Sequence, residues 1–284
     1  MSTVDLTRAR LSFPGVVRSE WIKLRSLRST FWCYLIVVVL TIGLAALVAS
    51  AIPTDGVVGA RPGAAPAAPL DPDATWLTVS TIGVAFGQLV VAVLGALVIT
   101  GEYGTGMIRS TFTAVPTRLP ALAAKALVFG VVTFVLTLAA LVVGALLAAP
   151  ILAGRGVKPD LGAGSVWVAL LGAAGYLTLL GILAMAIGLI IRVSAGAIAT
   201  ALGLVLVVPI IFNLLASLTQ ADWARNVGAF LPSDAGGRGY AFKPTGGVTD
   251  GILTLDGSQG LLVLAAWCVL AAVVGAVLVK RRDA

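Results

Sequence analysis

Ala126-Leu127-Val128-Phe129-Gly130-Val131-Val132-Thr133-Phe134-Val135-Leu136-Thr137-Leu138-Ala139-Ala140-Leu141-Val142-Val143-Gly144-Ala145-Leu146-Leu147-Ala148-Ala149-Pro150-Ile151-Leu152-Ala153-Gly154 contains no ionisable side chain. A bilayer core about 30 Å thick is crossed by about 20 apolar residues of helix, and this run exceeds that. Five further uncharged runs flank it: 31–52, 74–101, 161–191, 193–221 and 260–279. Short polar breaks between them hold the Lys, Arg, Asp and Glu. Several runs are longer than a straight crossing needs, so tilt, breaks or interfacial ends are expected.

Composition agrees with the pattern. Of 284 residues, 59% are hydrophobic and 11% charged, where soluble domains hold about 25% charged residues. The reading is an all-α membrane protein of six transmembrane helices in one integral domain, residues 1–284. The tail 1–30 is expected to be cytoplasmic, 102–118 a cytoplasmic loop and 218–259 an external segment. No internal repeat is visible.

The distribution of cations gives the orientation. With the N-terminus inside, thirteen Lys and Arg fall on the inner side and six on the outer, while acidic residues divide four to eight the other way. Lys and Arg in short loops set orientation through the positive-inside rule. Both termini are therefore expected in the cytoplasm of a multi-pass plasma-membrane protein. The net charge of +7 is then a topological signal. The cations are scattered over membrane-flanking segments, which argues against a nucleic-acid partner. A signal peptide competes for the first run through Ala49-Ser50-Ala51, but the run is longer than the 7–15 residues of an h-region.

Before the first span, residues 16–31 read as an amphipathic helix on the inner surface. At 100° per residue Val16, Val17, Trp21, Leu24, Leu27 and Phe31 share a face, Arg18 and Arg25 lie opposite and Lys23 flanks it. Glu20 and Arg28 interrupt the apolar face. Arg18, Trp21, Lys23 and Arg25 have the aromatic-and-cation composition of an interfacial anchor; a basic tail without structure is the alternative. The loop 53–73, rich in Ala, Pro and Gly, reads as a flexible connection. Residues 218–259 carry Trp223, Phe230, Tyr240 and Phe242, which point to a segment folded back on the outer face, with a solvated loop as the alternative.

The interior offers little chemistry. The deep polar residues are Gln88, Thr133, Thr137, Thr178 and Asn213, all able to bond helix backbone or neighbouring helices. Pro209 is expected to bend the fifth span. An ion-gradient carrier needs ionisable groups at depth, and none stands at the middle of a run. The sequence contains no His, the commonest metal ligand and acid–base group. Cys33 and Cys268 lie at unmatched depths and read as packing residues. Hydrolase motifs and the phosphate-binding Gly-x-x-x-x-Gly-Lys-Ser/Thr loop are missing, so catalytic residues, metal and bound cofactor are all expected to be none. Small-residue steps at Gly83/Gly87, Gly95, Ala184/Gly188 and Ala271/Gly275 mark close helix contacts.

The segment Gly101-Glu102-Tyr103-Gly104-Thr105-Gly106-Met107-Ile108-Arg109-Ser110-Thr111-Phe112-Thr113-Ala114-Val115-Pro116-Thr117-Arg118 follows the second run. Thr105 reads as an N-cap, residues 106–114 as two to three helical turns, and Pro116 as their stop. Glu102, at the membrane edge, needs a cation such as Arg109, Arg118 or Lys125. An ordinary connector with positive-inside charges is the alternative.

This segment, with Glu20-Trp21-Ile22-Lys23-Leu24-Arg25-Ser26-Leu27-Arg28-Ser29-Thr30 before it and Leu231-Pro232-Ser233-Asp234-Ala235-Gly236 after it, resembles the permease subunits of the ABC-2 exporter family, particularly the actinobacterial type. The resemblance implies six spans, an N-terminal interfacial helix and a coupling helix over 105–114. It also implies re-entrant outer elements before the sixth span. Glu102, Tyr103, Thr105, Gly106, Met107, Ile108, Arg109, Ser110, Thr111 and Pro116 would then couple the chain to separate ABC-type ATP-binding subunits. A second permease copy or paralogue would complete the path in the lipid bilayer. ATP and Mg would bind the partner subunit, and hydrolysis would occur there. A membrane scaffold recruiting a cytoplasmic partner and an ion-gradient carrier are the other readings. An uncharged interior favours lipids, lipid-linked compounds or amphipathic drugs as cargo over polyanions.

Overall fold

The fold was taken from a computed structural model, which describes residues 12–52, 71–107, 119–249 and 251–281. Within them, six helices are long and apolar enough to cross a membrane. The first is α2 (Arg28–Ala51), preceded by α1 (Phe13–Ser26). The second is divided into α3 (Pro72–Thr81) and α4 (Val84–Gly104). The third is α5 (Leu119–Gly154) and the fourth α6 (Gly164–Ile191). The fifth combines α7 (Ser194–Leu202), a π turn (Gly203–Val207) and α8 (Val208–Thr219). Two short helices follow, α9 (Asp222–Gly228) and α10 (Pro232–Gly237). After a 3₁₀ turn at Arg238–Tyr240 and the antiparallel pair β1 (Gly247–Thr249) and β2 (Ile252–Thr254), α11 (Gly257–Arg281) completes the six.

Each of the six expected runs lies on one of these helices. Three boundaries differ for physical reasons. The surface helix expected to reach Phe31 stops at Ser26, because Leu27 is extended (φ −81°, ψ 117°) and turns the chain into α2. Arg28–Phe31 therefore forms the first turn of the span. The second run breaks at Ile82-Gly83, where Gly83 crosses Thr41 so closely that a Cβ would stand 2.5 Å from its Cα. In the fifth run, Pro209 has no N–H to give the turn before it, and the helix widens into the π turn there. The small hairpin is an addition to the all-α expectation.

The fourth helix, α6, is the central post, packed against α4, α5, α7 and α11. Glycines set these contacts. A Cβ on Gly95 would stand 2.2 Å from the Gly181 carbonyl oxygen, and one on Gly188 would stand 2.5 Å from Ile99. Gly275 of α11 lies against Leu189. Of the small-residue steps read from the sequence, Gly83, Gly95 and Gly188 lie where a neighbouring backbone is met.

The deep polar side chains named from the sequence bond helix backbone or neighbouring helices, as expected. Thr133, Thr137 and Thr178 donate to carbonyls four residues back, and Asn213 donates to Pro209. Gln88 donates to Ala85 and accepts from Tyr176. Tyr34 joins Thr133 across α2 and α5 at 2.7 Å, and Trp76 donates to Ala145 at 2.8 Å. Cys33 and Cys268 are both free.

The outward faces are apolar. Phe31, Trp32, Ile36 and Val39 on α2, Ile210, Ile211 and Leu214 on α8, and Val269, Leu270 and Val273 on α11 are exposed. Soluble monomers rarely show apolar surface on this scale. Six apolar crossings with such a belt make the architecture that of a multi-pass membrane protein. The described ends of the chain lie together: Val279 of α11 packs in one cluster with Leu24 of α1. That end is called the terminal end below.

Candidate functional site

The terminal end holds two carboxylates and two ammonium groups in mutual contact. Glu20 and Lys23 come from α1, Glu102 from the last turn of α4, and Lys125 from the second turn of α5. Lys125 Nζ lies 2.5 Å from Glu20 Oε2 and 2.8 Å from Glu102 Oε1. Lys23 Nζ lies 2.7 Å from Glu20 Oε1 and 3.1 Å from Glu102 Oε1. Glu20, Glu102 and Lys125 are buried, and Lys23 is half-buried. Each cation bridges both carboxylates, so the cluster joins three elements that share no local sequence.

Local structure explains the placement. Ser12 caps α1, and its side chain accepts from the Gly15 N–H. The helical repeat then stacks Val16, Glu20 and Leu24 on one buried stripe. Val16 packs beside Ala121 and Ala124, one residue from Lys125. Glu20, expected to interrupt the apolar face, is the centre of the packed face. Trp21, expected on that face, is exposed, as are Arg18 and Arg25. Pairing with two ammonium groups makes burial of the Glu20 carboxylate tolerable.

Burial works against the Lys23 ammonium, but the hydrogen bonds and charges of Glu20 and Glu102 outweigh it. Its pKa stands above the ordinary 10.5. A cavity of about 330 Å³ adjoins the cluster, walled by Leu24, Leu27, Val98, Val128 and Phe129. Apolar walls lower the local dielectric, which strengthens the ion pairs. Glu102 Oε2 is buried without a hydrogen-bond partner among the described residues. Of the cations expected for Glu102, Lys125 is found in place; Arg109 and Arg118 lie outside the described residues.

The segment leaving α4 departs from the sequence reading at its start. Thr105 does not cap the beginning of a helix. It closes the end of α4, with its N–H and Oγ1 both donating to the Gly101 carbonyl at 3.1 and 2.9 Å. Gly106 follows at φ +71°, a conformation that favours glycine, so it is the turn rather than the first helical residue. The same residue types that begin helices also close them, and position alone does not separate the two. Met107 is exposed. Ile108, Arg109, Ser110, Thr111 and Pro116 lie outside the described residues, and with them the remainder of the expected coupling helix.

Tyr103 turns toward the neighbouring corner. The Arg192 guanidinium sits 5.1 Å from its ring centre, a cation–π contact. Arg192 closes α6 in the left-handed conformation, φ 65°, with its charge at a helix C-terminus where a cation is favoured. Ser194 donates to Thr100 at 3.0 Å beside it. The α6–α7 corner is thus held to the same end of α4.

Sequence reasoning missed Glu20 and Arg192. The signal for Glu20 was a lone carboxylate on an apolar stripe with a lysine three residues on. Such a residue either spoils the face or is paired across it. Among the described residues no group of His, Cys, Asp and Glu is arranged to hold a metal ion. Comparison with known proteins adds no relative: no family model matches the chain, and no curated protein matches it.

Proposed function

We propose that this chain is the membrane-spanning permease subunit of an ATP-driven exporter of the ABC-2 type, providing the path while separate ATP-binding subunits hydrolyse ATP. The observation that carries the reading is the ion cluster at the root of the 105–118 segment. Glu102 stands four residues before Gly106 and is bonded to Lys23 of α1 and Lys125 of α5. A push on the segment emerging there reaches three elements at once. Stiff linkage of this kind is what a lever needs to convert a partner's closure into a change of helix packing.

Two further features support it. Six crossings bring both described ends of the chain to one end of the bundle. The polar residues inside the crossings are spent on backbone and neighbours, which leaves the driving energy to an outside source. In this reading the terminal end faces the cytoplasm of a bacterium, a second permease copy or paralogue pairs with the chain, and Met107 belongs to the surface met by the ATPase.

The test is reconstitution into sealed vesicles with a co-purifying ATPase. Cargo movement is expected only with that subunit and ATP. Met107→Asp is expected to leave insertion intact while cutting ATP-dependent transport at least tenfold. Transport by the chain alone, or unchanged coupling in that variant, contradicts the proposal.

A further inference from the structure

At the end of the bundle opposite the ion cluster, a separate pocket of about 280 Å³ lies between α8, α9, α10 and β2. Phe212, Asn213 and Ala216 of α8 line one side, and Ile252, Leu253 and Thr254 of the hairpin line another. Three charged residues border it: Arg225, Asp234 and Arg238. The hairpin wall is fixed in place, since Asn226 of α9 donates to Gly251 O at 2.9 Å and accepts from Leu253 N at 2.8 Å.

The charges are not spent on one another. Arg225 is engaged by Gln220 at 2.5 Å and, loosely, by Asp222 at 3.5 Å. Asp234 and Arg238 stand one helical turn apart at the same pocket, yet neither enters an ion pair or side-chain hydrogen bond among the described residues. Burial holds the Asp234 carboxyl above its ordinary range, and Arg238 opposes that shift only in part. A half-buried carboxylate and a guanidinium, bordering one cavity and without an ion-pair partner among the described residues, are complementary to a ligand that carries both charges.

We propose that this pocket binds a zwitterionic phosphoethanolamine-type group, with the primary ammonium donating to Asp234 and the anionic phosphate accepting from Arg238. Guanidinium groups match phosphate oxygens in geometry. With Asp222 partly offsetting Arg225, the pocket is left with Asp234 and Arg238 as one charge of each sign, and a zwitterion fits better than a simple anion. The volume, near the lower bound of about 300 Å³ for ligand pockets, admits a headgroup and excludes acyl chains. Such a group is found on membrane aminophospholipids and on small soluble zwitterions. The inference is independent of the transport reading.

The experiment is a titration of the purified full chain in detergent with phosphoethanolamine, phosphocholine and inorganic phosphate. Phosphoethanolamine is expected to bind at least tenfold more tightly than phosphocholine, whose methylated ammonium cannot donate to Asp234. The same margin is expected over phosphate. Asp234→Asn is expected to remove this preference. Arg238→Gln, at an exposed position, is expected to weaken binding at least tenfold with the unfolding midpoint unchanged. Vesicles of phosphatidylcholine with and without phosphatidylethanolamine separate the sources: competition by phosphatidylethanolamine assigns the site to lipid, and its absence to a soluble zwitterion. Equal binding of the three probes, or unaltered affinity in Arg238→Gln, overturns the proposal.

Discussion

The two ends of this bundle are held by different physics. At the terminal end, Glu20, Lys23, Glu102 and Lys125 join α1, α4 and α5 through ion pairs of 2.5 to 3.1 Å. At the other end, α10 and the 3₁₀ turn are seated by glycines. A Cβ on Gly172 would stand 1.8 Å from the Gly239 carbonyl oxygen, one on Gly260 2.1 Å from that of Ala235, and one on Gly236 2.4 Å from the Tyr176 ring. Trp267 adds a hydrogen bond to Phe230 O at 3.0 Å. The ion pairs bind α1, α4 and α5 into one unit that can shift together, whereas backbone contact at such separations has no intermediate setting. The terminal end is therefore the one suited to transmitting a displacement, and the other is suited to holding a shape.

The largest expected effect is at the ion cluster. Lys125→Met leaves two buried carboxylates facing one half-buried ammonium and is expected to lower unfolding stability by about 3–5 kcal/mol. Adding Glu20→Leu removes the stranded charge, and the double variant is expected to recover most of the loss. Denaturant unfolding in detergent measures both, and strict additivity would break the comparison.

Glycine replacement comes next. Gly172→Ala and Gly95→Ala are each expected to cost about 1–3 kcal/mol by overpacking. Gly43→Ala, with nothing within 4 Å of a new Cβ, is expected to be neutral or to gain up to about 1 kcal/mol from helix propensity. The Gly172 penalty should be insensitive to salt and pH, which sharpens the contrast with the charged end.

Tyr34→Phe, which removes the buried bond to Thr133, is expected to cost about 1 kcal/mol. The smallest effect is the titration of Lys23. Its folded pKa lies above the ordinary 10.5, so its contribution is complete below 10.5 and is lost as pH rises through the higher folded value. A fall in midpoint over that alkaline range, reduced in Lys23→Met, is the expected result.

The sequence made the six crossings legible because an uncharged run longer than 20 residues has few other structures open to it. It also marked close backbone approaches at Gly95 and Gly188, since small residues at helical spacing serve that purpose in lipid. The corner at Leu27 was hidden, because Leu27 has a side chain suited to helix and only tertiary packing turns it. Of the candidate site, Glu102 and its need for a cation could be read in advance, with Lys125 one of three candidates. Glu20 could not, because its buried partner Lys125 lies 105 residues away and one-dimensional periodicity scores it as a flaw. Thr105 was read as the cap of a new helix and instead closes α4, with helical conformation resuming at Met107, one residue later than expected.

The central claim is that the ion cluster makes α1 and the segment leaving α4 move as one body. Spin labels at the exposed positions Arg18 and Met107 measure it in a complex with the ATPase proposed above, with and without nucleotide. The account predicts one unchanged separation between these labels while both shift relative to a label at exposed Val193, on the α6–α7 corner. A separation that changes with nucleotide while the distances to Val193 stay fixed would contradict it.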